Sequence, residues 1–126
     1  MAGRALEHAL ENFPEAEITV LHVVGEPSPM WGAATGLALA DDLEEAAQER
    51  AAVVFDRARE LAADHDREVT TEFRLGQPAR AILNRADDYD TVVVGSHGGS
   101  LADRLFVGDI AATVFRRSPV PVTVVR

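Results

Sequence analysis

The most informative chemical pattern in this chain is a set of three glycines in its carboxyl-terminal third. Gly95 is followed after two residues by Gly98, and Gly108 comes after nine more. An apolar run that starts at Val92 precedes them, and a segment with helical spacing follows. A strand that leads through a glycine-rich loop to a helix N-terminus can hold a phosphate, because backbone N–H groups converge on the anion and the helix dipole favours its charge.

Asp109 directly follows the last of these glycines and places a carboxylate where a phosphate would lie. An aspartate at the start of a helix is also an ordinary cap that needs no ligand. Beside a triphosphate it is repulsive unless a divalent cation bridges the two groups or the carboxylate turns away. At about 4 Å and an effective dielectric near 20, two like unit charges repel by roughly 4 kcal/mol. The sequence therefore predicts that metal-free ATP binding at this loop is not tight.

The remaining polar residues of the loop have both a functional and an ordinary interpretation. Ser100, in the middle of the loop, can donate to a phosphate or a sugar, or it is a plain loop residue or cap. We interpret His97 as a polar loop residue without a catalytic role. The four histidines of the chain lack metal-ligand spacing, and no Ser/His/Asp order indicates a nucleophile. We therefore expect neither a metal site nor an enzyme.

Helices and strands that position the loop alternate along the chain in the order α-β-α-β-α-β-α-β. Helical spacing covers 4–12, 41–65, 76–86 and 108–117; strand patterns cover 18–24, 68–75, 92–94 and 120–125; and 25–36 is expected to be a loop. Such alternation predicts a doubly wound α/β fold, in which a mostly parallel open sheet carries helices on both faces. Ligands of these folds bind at the carboxyl ends of the strands, and Gly95 lies at such an end.

Length and composition predict one domain over residues 1–126 and exclude several classes of partner. The chain has no cysteine, and its 21 acidic residues outnumber 12 basic residues, which gives a net charge of -9. This charge argues against nucleic acid as a partner. We expect no membrane span and a cytoplasmic protein, because neither a long apolar stretch nor a signal-peptide pattern is present. Every basic residue is arginine, and together with the acidic excess this favours a halophilic host.

The chain resembles the universal stress protein family, whose signature is G-x2-G-x9-G followed by Ser, Thr or Asn. The three glycines match that spacing without a gap, GSHG is a common form of the loop, and LEHAL, LHVV and SPVPVTVV also fit. The resemblance covers essentially all 126 residues. It implies an adenine nucleotide alpha hydrolase-like fold and a stress-response sensor that binds adenine nucleotides such as ATP.

Carried over by motif, the resemblance implies binding roles for seven residues, to which we add Ser100 from its place in the loop. These candidate site residues are Val23, Val94, Gly95, Gly98, Ser100, Gly108, Asp109 and Ile110. Binding that is weak, or that depends on Mg²⁺ or Mn²⁺, is expected because Asp109 replaces the hydroxyl or amide of ATP-binding members. If the site has been lost, no cofactor is expected. The alternative function is then a regulatory or interaction dimer that keeps the fold without binding a nucleotide.

Two further expectations follow from the resemblance. Family members begin with a central strand that ends in a Pro-x-Asp turn, and this chain is N-terminally short of it. We expect either that the true start lies upstream, which we favour, or that strands 18–24 and 92–94 have re-paired. The final strand ends in Val120, Val122, Val124 and Val125. It is expected at a sheet edge and, as in the family, to form a homodimer with its twin.

Overall fold

The computed structural model describes residues 2–24, 29–96 and 109–126 of the chain. Its helices are α1 (Ala2–Asn12), α2 (Pro29–Asp64), α3 (Pro78–Ala86) and α4 (Asp109–Arg117), and its strands are β1 (Ile18–Val24), β2 (Val69–Leu75), β3 (Val92–Gly95) and β4 (Val122–Val125). Helices and strands alternate in the order that the sequence predicts, so the α/β class is confirmed.

The four strands form two separate parallel pairs. In the amino-terminal pair, β1 and β2 run in register over seven residues, from Ile18 beside Val69 to Val24 beside Leu75. In the carboxyl-terminal pair, β3 and β4 are in register over four residues, from Val92 to Gly95. Among the described strands, β1 does not pair with β3, so the re-pairing that the sequence left open does not occur.

The main correction to the predicted elements concerns the start of α2. Residues 29–36 were expected to be a loop because of their glycines, but the helix begins at Pro29. Proline suits the first position of a helix, since its missing N–H would have no partner there and its φ is already helical. Alanine, leucine and methionine, which favour helices, outnumber the glycines between residues 30 and 40. Their summed preference outweighs the cost of the glycines.

The hydrophobic core lies between α1, α2 and the amino-terminal pair. Its buried residues are Leu6 and Leu10 of α1 with Ala58 and Ala62 of α2, and Ile18, Val20, Leu61 and Val69 pack against them. The small alanines let the two helices approach each other and the strands closely. A continuous apolar strand such as β1 is typical of a sheet covered on both faces. The apolar pattern of the sequence therefore accounts for this part of the molecule.

Helix α1 contacts both strand pairs, since it packs on β1 as well as on β3 and β4. The Arg4 Nη1 of its first turn donates to the main-chain oxygen of Arg126, at 3.4 Å. Helix α3 contacts β1, β2 and α4. These helices therefore hold the two pairs in place, although no strand ladder joins the pairs in the described ranges. No helix within those ranges is long and apolar enough to cross a membrane.

Candidate functional site

The candidate site begins at the carboxyl ends of β1 and β3. Val23 is the penultimate residue of β1 and lies in register with Arg74. Val94 and Gly95 end β3, where Gly95 lies in register with Val125 of β4. One residue further on, the Ser96 N–H donates to the Val125 carbonyl at 2.8 Å, so the ladder extends past the strand end.

A cavity of about 340 Å³ lies between the two strand pairs, and we call it the central cleft. Its strand walls are residues 18–21 of β1 and 92–95 of β3. Helix α1 contributes Ala5, Leu6 and Ala9, and α3 contributes Ile82, Arg85 and Ala86. Val94 and Gly95 therefore line the cleft, whereas Val23 lies beyond the part of β1 that does.

The charged residues that line the cleft are Glu17, Glu72 and Arg85, and Arg85 of α3 is the centre of a group of polar contacts. Its Nε donates to Glu72 Oε2 of β2 at 2.9 Å, its Nη1 forms an ion pair with Asp88, and its Nη2 lies 3.4 Å from Tyr89 Oη. The guanidinium carbon also lies 5.7 Å from the centre of the Tyr89 ring. The hydrogen bond to Glu72 is the main reason that the pKa of Arg85 is raised above its ordinary value. Arg85 is therefore a permanent cation whose charge is already matched by carboxylates.

Helix α4 presents its N-terminus through Asp109, its first residue. The leading N–H groups of an α-helix have no partner within the helix, so they can donate hydrogen bonds to an anion. Ile110 follows and is exposed. The other predicted site residues of this segment, Gly98, Ser100 and Gly108, lie outside the described residues, as does His97.

His22 of β1 lies among aromatic rings rather than at a ligand site. Its ring forms an edge contact with Phe55, at 6.2 Å between centroids, and stacks on Phe73 at 6.5 Å. His22 therefore packs against aromatic side chains of α2 and β2. Across the residues that the structure describes, no group of three or more histidine, aspartate or glutamate side chains could hold a metal ion.

The Arg85 group was not among the sites predicted from the sequence. One signal was present, because Arg85, Asp88 and Tyr89 stand at the i, i+3 and i+4 spacing that brings side chains together on a helix. Glu72 comes from a different element, so its meeting with Arg85 depends on how α3 packs against β2. That packing could not be derived from the spacing of residues alone.

The described residues fit an adenine nucleotide in one respect and oppose it in another. The strand end at Gly95 and the N-terminus of α4 are the backbone elements that a phosphate needs. Asp109, in contrast, is the first residue of α4, and a carboxylate at the start of a helix is favoured by the helix dipole without any ligand. A phosphate that binds there has to tolerate this second negative charge or share a cation with it.

Comparison of the sequence with known protein families identifies the family of this chain. The model of the universal stress protein family matches residues 1–126, which is the whole chain. The chain belongs to the universal stress protein family. Among its universal stress protein relatives is YxiE of Bacillus subtilis strain 168, which is 29% identical over 135 aligned residues that cover 100% of this chain and 91% of YxiE.

Solved structures of the family have the same fold. The universal stress protein UspA from Lactobacillus plantarum aligns with a TM-score of 0.76 and 26% identity, over 97% of this chain and 87% of UspA. Another universal stress protein, whose crystal structure is a complex with cAMP, aligns with a TM-score of 0.60 and 22% identity, over 99% of this chain and 83% of that protein. The doubly wound α/β fold predicted from the sequence is therefore confirmed.

Proposed function

We propose that this universal stress protein binds an adenine nucleotide at the glycine loop and acts as a small-molecule sensor in a stress response. The observation that carries the proposal is the gap-free glycine spacing in a chain whose whole length belongs to the family. A family member in complex with cAMP supports an adenine nucleotide as the class of ligand. We propose no catalytic role, and a cytoplasmic location.

Each candidate residue has a defined task in this proposal. Gly95, Gly98 and Gly108 leave the backbone open to the phosphates, since a side chain at these positions would block the approach. The N-terminus of α4 and the hydroxyl of Ser100 donate to the phosphate oxygens. The apolar residues Val23, Val94 and Ile110 flank the adenine and ribose. Bound Mg²⁺ or Mn²⁺ would bridge the phosphates and the Asp109 carboxylate.

A titration of ATP, with and without Mg²⁺ or Mn²⁺, tests the proposal on the unmodified chain and on Asp109→Ser. We expect weak binding by the unmodified chain, strengthened by the divalent cation, and stronger metal-free binding by the variant. Because the repulsion between two unit charges at close range reaches about 4 kcal/mol, the gain in affinity is at most about a thousandfold. Isothermal titration calorimetry measures these affinities directly.

Asp90→Ser is the matched control for this titration. Asp90 is exposed in the turn that precedes β3, at the opposite end of that strand from Gly95. The substitution removes the same charge without touching the glycine loop, so ATP affinity should stay close to that of the unmodified chain. If neither the chain nor Asp109→Ser binds ATP at millimolar concentration with any of the cations, nucleotide binding is ruled out.

The second candidate function is a regulatory or interaction dimer without a nucleotide, and the free edge of β4 favours it. Within the described residues β4 pairs on one side only, with β3. The Val92 and Ser96 N–H groups donate to the carbonyls of Pro121 and Val125. Because the direction of main-chain groups alternates along a strand, those of Val124 point to the outer edge. We propose that this edge pairs with its twin in a homodimer.

Val124→Pro tests the dimer, because it removes an outward N–H and leaves the ladder to β3 intact. Analytical ultracentrifugation should show a dimer for the unmodified chain and a monomer for this variant. Thr123→Val is the control, since its main-chain groups face β3 and its outer edge is unchanged. A monomeric unmodified chain would contradict the dimer without affecting the nucleotide proposal.

A further inference from the structure

A second pocket, of about 400 Å³, lies between the carboxyl-terminal end of β2 and one face of α3, and we call it the arginine pocket. The charged residues that line it are Arg74 of β2 with Arg80 and Arg85 of α3. Gln77 and Asn84 add two side-chain amides, and no aspartate or glutamate of the described ranges belongs to the lining. The pocket therefore presents positive charge and hydrogen-bond donors in a chain whose net charge is -9.

The α3 side of the arginine pocket is a row of polar side chains at helical spacing. Gln77, Arg80 and Asn84 are three and four residues apart, so they follow one face of the helix. Gln77 occupies the N-cap position, yet its side chain makes no capping hydrogen bond. Its amide and that of Asn84 have no hydrogen-bonding partner within the described ranges. Both amides are therefore free to bind a ligand together with Arg80.

The three arginines differ in how far their charge is already matched. Arg85 contacts both Glu72 and Asp88, and Arg74 Nη2 lies 3.3 Å from Glu72 Oε1. Arg80 is exposed, and its guanidinium has no ion pair or hydrogen bond within the part of the chain that the structure describes. The arginines of the pocket thus outnumber the carboxylates that they contact. An anion is the ligand that would balance this excess charge.

The number and geometry of these donors favour phosphate over carboxylate. A guanidinium presents five N–H donors in a planar fork, and each amide adds two more. A carboxylate accepts with two oxygens and carries one charge, whereas a phosphate monoester accepts with three terminal oxygens and carries up to about two charges at neutral pH. Two arginines and two amides are therefore better satisfied by a phosphate group.

The arginine pocket is also larger than a phosphate group alone requires. Its volume of about 400 Å³ falls in the usual range of small-molecule sites, which is about 300–1,000 Å³. Leu75 is 41% exposed, and with Ala81 it adds apolar surface to the lining. An organic group bonded to the phosphate could cover this surface and exclude water from it.

We propose that the arginine pocket is a second binding site, which takes a small organic phosphate. Arg74, Arg80 and the two side-chain amides hold the phosphate, and the organic group lies against Leu75. The pocket shares only Arg85 with the central cleft, and none of its lining residues belongs to β1, β3 or α4. The proposal therefore does not depend on nucleotide binding at the glycine loop.

Phenyl phosphate is the probe for this site, and a ¹H–¹⁵N NMR titration of the unmodified chain locates its binding. The backbone amides between residues 76 and 84 should shift and reach saturation. Inorganic phosphate lacks the ring and should shift the same amides with lower affinity. Benzoate keeps the ring but replaces the phosphate with a carboxylate, so its affinity should be at least about tenfold lower. The amides of Gly95, Ser96 and Ile110 report separately on the nucleotide site.

Arg80→Gln tests the role of the arginine whose charge is unmatched. The affinity for phenyl phosphate should fall at least about tenfold, because a charge-assisted hydrogen bond is lost. Arg80→Lys should lie between this variant and the unmodified chain, since lysine keeps the charge but not the planar fork. Arg57→Gln is the matched control. It removes the same charge from an exposed position of α2 outside the pocket, so the affinity should be unchanged.

Three outcomes would overturn the proposal. The first is that phenyl phosphate at millimolar concentration shifts no amide between residues 76 and 84. Shifts confined to Gly95, Ser96 and Ile110 would be such a result, and they would place the phosphate at the glycine loop instead. The second is equal affinity of Arg80→Gln and Arg57→Gln, and the third is equal affinity for benzoate and phenyl phosphate.

Discussion

The two strand pairs of this protein are built on the same parallel pattern but differ in how they are supported. The amino-terminal pair has a register of seven residues, against four in the carboxyl-terminal pair. The core cluster of α1 and α2 packs on the amino-terminal pair. The carboxyl-terminal pair instead has α4 against β4, with Ala111 and Val114 as the buried residues of that helix. We therefore expect the amino-terminal pair to be the more stable one, and most of the proposed nucleotide-binding residues belong to the carboxyl-terminal half.

This division is useful because a binding site needs polar groups that a ligand can reach, whereas a core needs apolar groups that are buried away from water. Elements that bind ligands or move are drawn from the less stable parts of a protein. Substitutions in each half test this division, and the one that should cost the most stability lies in the core cluster.

Leu10→Ala should have the largest effect, because Leu10 is only 3% exposed and lies in the core cluster against α2. Loss of a buried leucine side chain lowers the free energy of unfolding by about 2–5 kcal/mol. Urea denaturation monitored by circular dichroism measures this loss. Val53→Ala is the control, since Val53 is 67% exposed and should change stability by less than about 0.5 kcal/mol. Equal effects of the two substitutions would contradict the assignment of the core.

Val114→Ala is the corresponding test of the other half. Val114 is fully buried in α4, and removal of its two methyl groups should cost about 1–3 kcal/mol. Native-state hydrogen exchange should show the loss of protection in the carboxyl-terminal pair, with the amides of β1 and β2 nearly unchanged. A uniform loss across both pairs would mean that the two halves unfold as one unit.

Gly76→Ala should destabilise the end of the amino-terminal pair by about 1–2 kcal/mol. Gly76 has a φ of +131°, which alanine rarely adopts, and its N–H donates to the Val24 carbonyl at 3.0 Å. A Cβ added there meets no atom within 4 Å, so the cost arises from the backbone alone.

Gly3→Ala serves as the contrasting variant for Gly76→Ala in the same denaturation experiment. In α1, a Cβ on Gly3 meets Leu61 Cδ1 at 3.9 Å, an ordinary contact. Alanine favours the helix over glycine, so stability should rise by up to about 1 kcal/mol. Changes of the same sign in the two variants would contradict the backbone argument.

Of these substitutions, Glu72→Gln should have the smallest effect on stability, because it alters a partly exposed contact between α3 and β2. The amide keeps an acceptor for Arg85, but its hydrogen bond is weaker than that of the carboxylate and it lacks the charge, so the pKa of Arg85 should be raised less. We expect the melting temperature to fall by less than in Gly76→Ala. The raised pKa of Arg85 adds to the free energy of unfolding. This contribution is present in full below the ordinary pKa of arginine, and it disappears only as the pH rises through the higher pKa of the folded state. Titration of Arg85 should therefore produce no change in stability across the near-neutral range, as a pH series of thermal melts would show.

Much of the fold follows from local patterns in the sequence. The run ITVLHVV predicts β1 with the bounds that the structure gives it, and the Gly-Gln-Pro segment places the start of α3 within two residues. Both predictions rest on residue preferences and on periodicity, which act over a few neighbouring positions. The start of α2 was missed for the same reason, because single glycines were given more weight than the summed helix preference of their neighbours.

The site was harder to predict, because it depends on how distant elements meet. The glycine spacing indicated the family, which is confirmed, and pointed to the carboxyl end of β3. In contrast, the contact between Glu72 and Arg85 is set by the packing of α3 against β2 and has no signature in either segment alone.

The order of the strands along the chain also determines when each pair can form on the ribosome. Both β1 and β2 have been synthesised once Leu75 is complete, so their ladder and the packing of α1 on α2 can form on the nascent chain. Strand β3 has to wait for β4, which ends at Val125. Until β4 has left the ribosome, the face of α1 that later packs on β3 remains an apolar surface for a chaperone to protect.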